Sequence, residues 1–222
     1  MLSADFLHLE EDVKFVNEYA DVFHLDIMDG VFVPNLSYGF PVVEAIAKKS
    51  TKPLDVHLMI VEPEKYVERF AKVGADMISF HLNATEDPSA VLAQIRSCGA
   101  QAGLAINPDF PVESLYPYLK ECDFILLMSV FAGFGGQRFI EETYERVRTL
   151  KAEIQRQGLN IPIEVDGGVS SANAAALAEA GAEILCAVCD EYGRTVIHNF
   201  LSCHLKRYFP IGHGVGFAVC DK

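Results

Sequence analysis

Residues 23–35 read FHLDIMDGVFVPN. In a strand, successive side chains point to opposite faces. Phe23, Leu25 and Ile27 then form an ordinary apolar face, while His24, Asp26 and Met28 share the other. The pattern returns in LDVHLMI, where Asp55, His57 and Met59 share a face, and in IPIEVDGG, where Glu164 and Asp166 do. FILLMSV places Met128 near the end of another apolar run. Two imidazoles and two carboxylates drawn from three strands make a borderline-hard ligand set. It suits one divalent ion of Zn, Mn, Fe or Co and does not suit thiolate-seeking metals. The competing reading is that each polar residue is satisfied by its own local hydrogen bonds. Recurrence of the pattern on separate strands favours a shared site. Methionine is commonly core filler, but Met28, Met59 and Met128 recur near polar strand ends, where lining a pocket is an equal expectation. His81, at the end of another apolar run, reads as structural or merely adjacent.

Two glycine-rich turns add a second chemistry. AGFGGQRF, residues 132–139, contains Gly133, Gly135 and Gly136; DGGVSSAN contains Gly167 and Gly168, with Ser170 or Ser171 as a candidate helix N-cap. Such turns allow close backbone approach to a ligand, and their N–H groups bind anions. Either alone is weak, since tight turns use Gly anyway. Together they suggest a phosphorylated substrate.

The elements that must position these groups alternate along the chain. Helical patterns at about 8–19 and 41–49, and in EPEKYVERFAKVGAD, PSAVLAQIRSCGA, PVESLYPYLKEC, FIEETYERVRTLKAEIQRQG and SSANAAALAEAG, are interleaved with strands. Seven strands follow from residue 22 onward, and MLSADF is a candidate stub of an eighth. Such alternation predicts a parallel sheet. A repeat of roughly 25–30 residues fits a (β/α)₈ barrel, whose sites lie at the C-terminal strand ends. A doubly wound open sheet is the alternative, disfavoured because no GxGxxG follows the first strand.

Composition narrows the function. The 222 residues are half apolar, which predicts a globular chain. Eighteen basic residues face 31 acidic ones, for a net charge of −13. That disfavours nucleic acid and anionic membranes as partners, and it means that an anionic substrate needs a local device to hold it. No signal-like or membrane-spanning stretch is legible. Six cysteines in a chain of this size suggest free thiols and a cytoplasmic setting.

LSADF, FHLDIMDGVFVPN, LDVHLMI, GFGGQRF and EVDGG closely resemble the ribulose-phosphate 3-epimerase family, in order and spacing, over residues 1 to about 185. The resemblance implies a homo-oligomeric (β/α)₈ barrel with one divalent metal that interconverts D-ribulose 5-phosphate and D-xylulose 5-phosphate. It implies His24, Asp26, His57 and Asp166 as metal ligands, with Asp26 and Asp166 as the acid/base pair. His57, Gly133, Phe134, Gly135, Gly136, Asp166, Gly167 and Gly168 would touch substrate, and Met28, Met59 and Met128 would line the pocket. The chemistry is coherent. Epimerisation removes a proton beside a ketone and returns one to the opposite face, so two bases suffice without a redox cofactor. A metal would stabilise the enediolate. D-allulose 6-phosphate epimerisation and an impaired sugar-phosphate-binding barrel are the alternatives.

The two ends depart from the family. The family's proline–serine pair would precede Met1, and its Gly–Ser phosphate turn is replaced by Ala187 and Val188. The expected division is therefore a barrel over 1–185 and an atypical tail over 186–222. Cys186, Cys189, Cys203 and His204 could be read as a zinc site, but their spacing is irregular. A frameshifted or misjoined gene end is the preferred account of the tail.

Overall fold

The computed structural model describes residues 1–189 and 216–221. Its strands are β1 (Val22–Met28), β2 (Leu54–Met59), β3 (Met77–His81), β4 (Gln101–Ile106), β5 (Phe124–Met128), β6 (Ile163–Val169), β7 (Ile184–Cys189) and β8 (Gly216–Asp221). The helices are α1 (Leu9–Tyr19), α2 (Phe40–Ala47), α3 (Val67–Lys72), α4 (Pro88–Ser97), α5 (Thr143–Arg156) and α6 (Ala174–Ala180). The strands close a barrel in chain order, every neighbouring pair parallel. The expected (β/α)₈ architecture is therefore the one observed.

Strand alternation explains the layering. Phe23, Leu25, Ile27, Leu54, Val56, Leu58, Ile78 and Phe80 turn outward and join helix residues such as Val43, Ile46, Phe70, Leu92, Leu150 and Ile154 in one large core. Fully burying one such side chain is worth about 1.5–3 kcal/mol. This outer layer carries the fold and leaves the barrel interior free for polar groups. Inside, Ala105, Leu126, Met128 and Val130 form a separate small cluster, as do Met28, Val33 and Met59. Phe124 shares the inward face of β5, opposite Gly103 on β4. A Cβ at Gly103 would lie 2.3 Å from Phe124 Cζ, so the missing side chain is what admits the ring.

Four expectations need correction. Residues 1–6 form turns, not a strand stub. Their backbone is engaged otherwise: the Met1 ammonium donates to His24 O on β1, Ala4 N to Met1 O and Asp5 N to Asp12 Oδ2. The barrel position between β7 and β1 is taken by β8, which pairs with β7 over six residues and with β1 over two. The segment around Glu62–Lys72 is split into a 3₁₀ turn, Pro63–Lys65, and a short α3. Val112–Glu121 is 3₁₀ throughout and contains Pro117, whose ring disfavours a continuous α-helix at that point. Finally, Asn173 holds the N-cap position of α6 in place of Ser170 or Ser171, without a side-chain capping bond. The Asn173 side chain accepts from Ser170 N and donates to Gly168 O, which draws the turn together before the helix starts. The expected division after residue 185 falls inside β7. Cys203 and His204 lie outside the described residues.

Candidate active site

The parallel register brings the polar strand ends into rows. Asp26 pairs with His57 across β1 and β2, His24 with Asp55, and Met28 with Met59. Met128 pairs with Asp166 across β5 and β6. Because a barrel curves, these rows face one another at its C-terminal mouth.

His24, Asp26, His57 and Asp166 each offer a ligand atom, all within 4.8 Å of one another. His24 Nε2 is 3.5 Å, and His57 Nδ1 3.4 Å, from the same oxygen, Asp26 Oδ1. Two ligands about 2.0–2.1 Å from a tetrahedral ion stand roughly 3.4 Å apart. The spacing fits a shared ion better than direct hydrogen bonds. The buried His57 Nδ1 has no hydrogen-bond partner among the described residues. By donor set and spacing, these residues suit a divalent cation.

Beneath this group lies a second polar layer. His24 Nδ1 lies 2.5 Å from Asp55 Oδ2 and 3.3 Å from Glu164 Oε1. The Cys186 thiol donates to Glu164 Oε1 at 2.9 Å. His57 Nε2 and His81 Nε2 are 3.0 Å apart, and their rings stack. All six residues are buried. Burial and the Glu164 charge push the Asp55 carboxyl up to about 7, against the pull of His24. Burial, with His57, drives His81 well below its usual value, so it is neutral. Burial raises the Cys186 thiol well above its usual range and keeps it protonated, as a donor must be.

The two candidate acid/base carboxylates are placed in contrasting settings. Burial disfavours a charged Asp26, yet His24 and His57 hold it well below the normal carboxylate range. Asp166 is raised, chiefly by burial and by the Asp26 charge, with His24 opposing.

Above them opens a pocket whose wall includes Asp26, Asp166, Met28, Met59 and Met128. Gly133, Phe134, Gly135, Gly136, Gly167 and Gly168 also line it, as the motif reading expected. His57, expected to touch substrate as well, is not in the lining: with His24 it is wholly buried below the floor. Phe134 stands half exposed at the rim. The enclosed space is about 40 Å³, room for only a few waters. A larger ligand must extend outward, where an open groove shares Leu2, Ser3, Gly135 and Gly136 with the pocket.

Side chains tie the rim loop down. Asn35 Nδ2 donates to Gly133 O, Gln137 Nε2 to Phe131 O and Phe134 O, and Asn107 Oδ1 accepts from Ala132 N. Sequence reasoning missed Ser3 and Gln137 as pocket residues, although both stood inside quoted motifs. It placed Asp55 and Glu164 on the inward face without a task. At the expected site of a Gly–Ser turn, β7 continues as strand through Ala187 and Val188.

Comparison with known proteins agrees with this geometry. A family model described as the ribulose-phosphate 3 epimerase family matches residues 1–190. The chain is 50% identical over 190 residues to ribulose-phosphate 3-epimerase of Synechocystis sp., covering 84% of this chain and 83% of that one. It is 41% identical to the Bacillus subtilis protein of the same name, covering 88% and 91%. With the chloroplastic ribulose-5-phosphate-3-epimerase of Arabidopsis thaliana it shares 46% identity over 84% and 68%. Among solved structures, the tryptophan synthase α-subunit of Pyrococcus furiosus aligns with a TM-score of 0.67 at 16% identity, over 87% of this chain and 93% of that chain. A 3-hexulose-6-phosphate synthase aligns with a TM-score of 0.64 at 16% identity, over 86% and 91%. These two share the barrel fold. By sequence, motif order and site composition, the chain belongs to the ribulose-phosphate 3-epimerase family and is an epimerase.

Proposed function

We propose that this chain interconverts D-ribulose 5-phosphate and D-xylulose 5-phosphate by proton transfer at carbon 3, with one divalent ion held by His24, Asp26, His57 and Asp166. The observation that carries the reading is the pairing of Asp26 and Asp166. They come from β1 and β6 and line one methionine-walled pocket above two buried imidazoles. A cation bound there supplies Lewis-acid stabilisation for negative charge developing on the substrate's oxygens. Zn, Fe, Mn and Co each suit the ligand set.

The protein's own residues do the rest. One carboxylate takes the carbon-3 proton, and the electron pair moves into the bond to carbon 2 as the carbonyl oxygen gains charge. The other carboxyl then gives its proton to the opposite face of carbon 3. No electrons leave the substrate, and the two carboxyl groups end with exchanged protonation. The sulfurs of Met28, Met59 and Met128 offer contact without acidic protons, which limits stray protonation. Since the enclosed space is small, carbon 3 sits deep and the phosphate arm reaches outward toward Gly135, Gly136 and Ser3. That placement supplies the local anion-holding device demanded by the net charge of −13. A cytoplasmic, self-associating enzyme remains part of this reading; among the described residues no helix is long and apolar enough to cross a membrane.

The test is hydrogen exchange at carbon 3 of ribulose 5-phosphate in deuterated water. The parent should exchange and epimerise; Asp26→Asn and Asp166→Asn should each abolish epimerisation, since an amide is neither base nor anionic ligand. Near-parental turnover in either variant refutes the two-carboxylate mechanism. A parent that binds the sugar phosphate without exchange is a binding barrel instead.

A further inference from the structure

The second polar layer has a geometry that goes beyond the four candidate ligands. On one side of the His24 ring, Nδ1 faces two carboxylates, Asp55 at 2.5 Å and Glu164 at 3.3 Å. The 2.5 Å contact to Asp55 on that side is far shorter than the 3.5 Å separation of Nε2 from Asp26 Oδ1, so the ring proton belongs at Nδ1. The ring then presents Nε2, as a lone pair, toward Asp26 Oδ1. His57 uses its nitrogens the other way round. Its Nδ1 faces Asp26 Oδ1, and its Nε2 meets His81 Nε2 at 3.0 Å. Two imidazole nitrogens in contact share a single proton. If His57 is to offer a lone pair at Nδ1, that proton sits on its Nε2, and His81 must accept it.

We infer that Asp55 and His81 are positioning residues: each backs one imidazole, fixes its tautomer, and thereby aims His24 Nε2 and His57 Nδ1 at the same point. Three observations support this. Asp55 and His81 are both fully buried, so neither has a solvation role at the surface. Each comes from the neighbouring strand: Asp55 is the register partner of His24 across β1 and β2, and His81 lies on β3 two residues beyond Ser79, the register partner of His57. Finally, His81 is itself held, with the Phe32 ring packed against it at a centroid distance of 4.9 Å. Glu164 plays a supporting part, because the Cys186 thiol occupies its Oε1 and keeps that carboxylate beside His24. A backing group of this kind orients a ligating imidazole and raises its basicity, and its loss typically weakens metal affinity by roughly 10–100-fold.

This inference rests on the proposed metal site, and the experiment separates the two. The full chain, stripped of metal, is titrated with Co(II), reading both affinity and the visible d–d absorption. Asp55→Leu and His81→Leu remove the backing acceptor; Asp55→Asn and His81→Gln keep an oxygen that can accept from the same ring N–H. The leucine variants should bind cobalt roughly 10–100-fold more weakly, with an altered band, while the amide variants recover most of the affinity. A purely structural role would not distinguish leucine from amide by spectrum. Independently of any variant's folding, long-range ¹H–¹⁵N spectra of the metal-free parent should show His24 protonated at Nδ1 and His57 at Nε2. The opposite tautomer at either ring overturns the inference. So do leucine variants with parental affinity and an unchanged band. A parent that takes up no cobalt overturns the metal reading and this inference together.

Discussion

Gly168 offers the sharpest test of how the pocket is assembled. Its φ is +63°, and a Cβ built there would lie 2.7 Å from Phe139 N and 3.0 Å from Gln137 O. Both neighbours are backbone atoms of the rim loop, so no side chain can swing aside. Gly168→Ala therefore carries two costs. The left-handed conformation costs an L-residue about 1–2 kcal/mol, and forcing atoms into a packed contact costs about 1–3 kcal/mol. Lower entropy of the unfolded chain returns about 0.4–1 kcal/mol. The net expectation is a loss of about 1–4.5 kcal/mol, combining these ranges. Gly136→Ala is the internal control: its φ is +71°, but nothing lies within 4 Å of the added Cβ. It should lose only the conformational part, at most about 1.6 kcal/mol. Denaturant unfolding midpoints of the two variants isolate the contact. Because the contact pushes residues 137–139 away from β6, Gly168→Ala should also raise KM. Equal midpoints for the two variants would refute the claim that the β6 turn and the rim loop are in fixed backbone contact.

Other consequences are open to direct measurement. Adding divalent metal to the stripped protein should raise its unfolding free energy by about 2.7 kcal/mol at a hundred times Kd; combined His24→Ala and His57→Ala should abolish the rise, and a rise that persists in the double variant removes the ion from this site. Arg156 and Gln157 hydrogen-bond Glu153 and depress its carboxyl to about 2. A folded pKa below the unfolded value, about 4.3, favours the ionised form in the folded state. Its stabilising effect is complete above that value and is lost as pH falls toward about 2. Urea midpoints of the parent and Glu153→Gln should therefore converge over that window; a gap that is constant with pH contradicts the pairing. Truncation after Cys189 deletes β8 and leaves β7 and β1 with unpaired edges. The shortened chain should unfold earlier and aggregate beyond the parent's own state of association, and a chain with the parental midpoint and the parental state of association would show that β8 does not close the barrel.

Alternation alone determined a good deal here. The faces of β1, β2 and β6 could be read residue by residue, because a strand's period of two assigns each side chain a side whatever the sheet does later. His24, Asp26, His57 and Asp166 were therefore assigned to inward faces before any strand was paired. Repetition of the β/α unit also determined the barrel, since parallel strands need crossovers and helices need a sheet to cover. What alternation could not decide was which inward residues meet, because that depends on register and curvature between strands distant in the chain. Only the folded barrel sets Asp55 behind His24 and His81 behind His57, and sinks His57 below the pocket floor. Local propensity likewise could not show that residues 1–6 would form turns. Nor could it show that Gly216–Asp221 would pair between β7 and β1, because a strand's place in a sheet is decided by which edges the rest of the fold leaves unpaired.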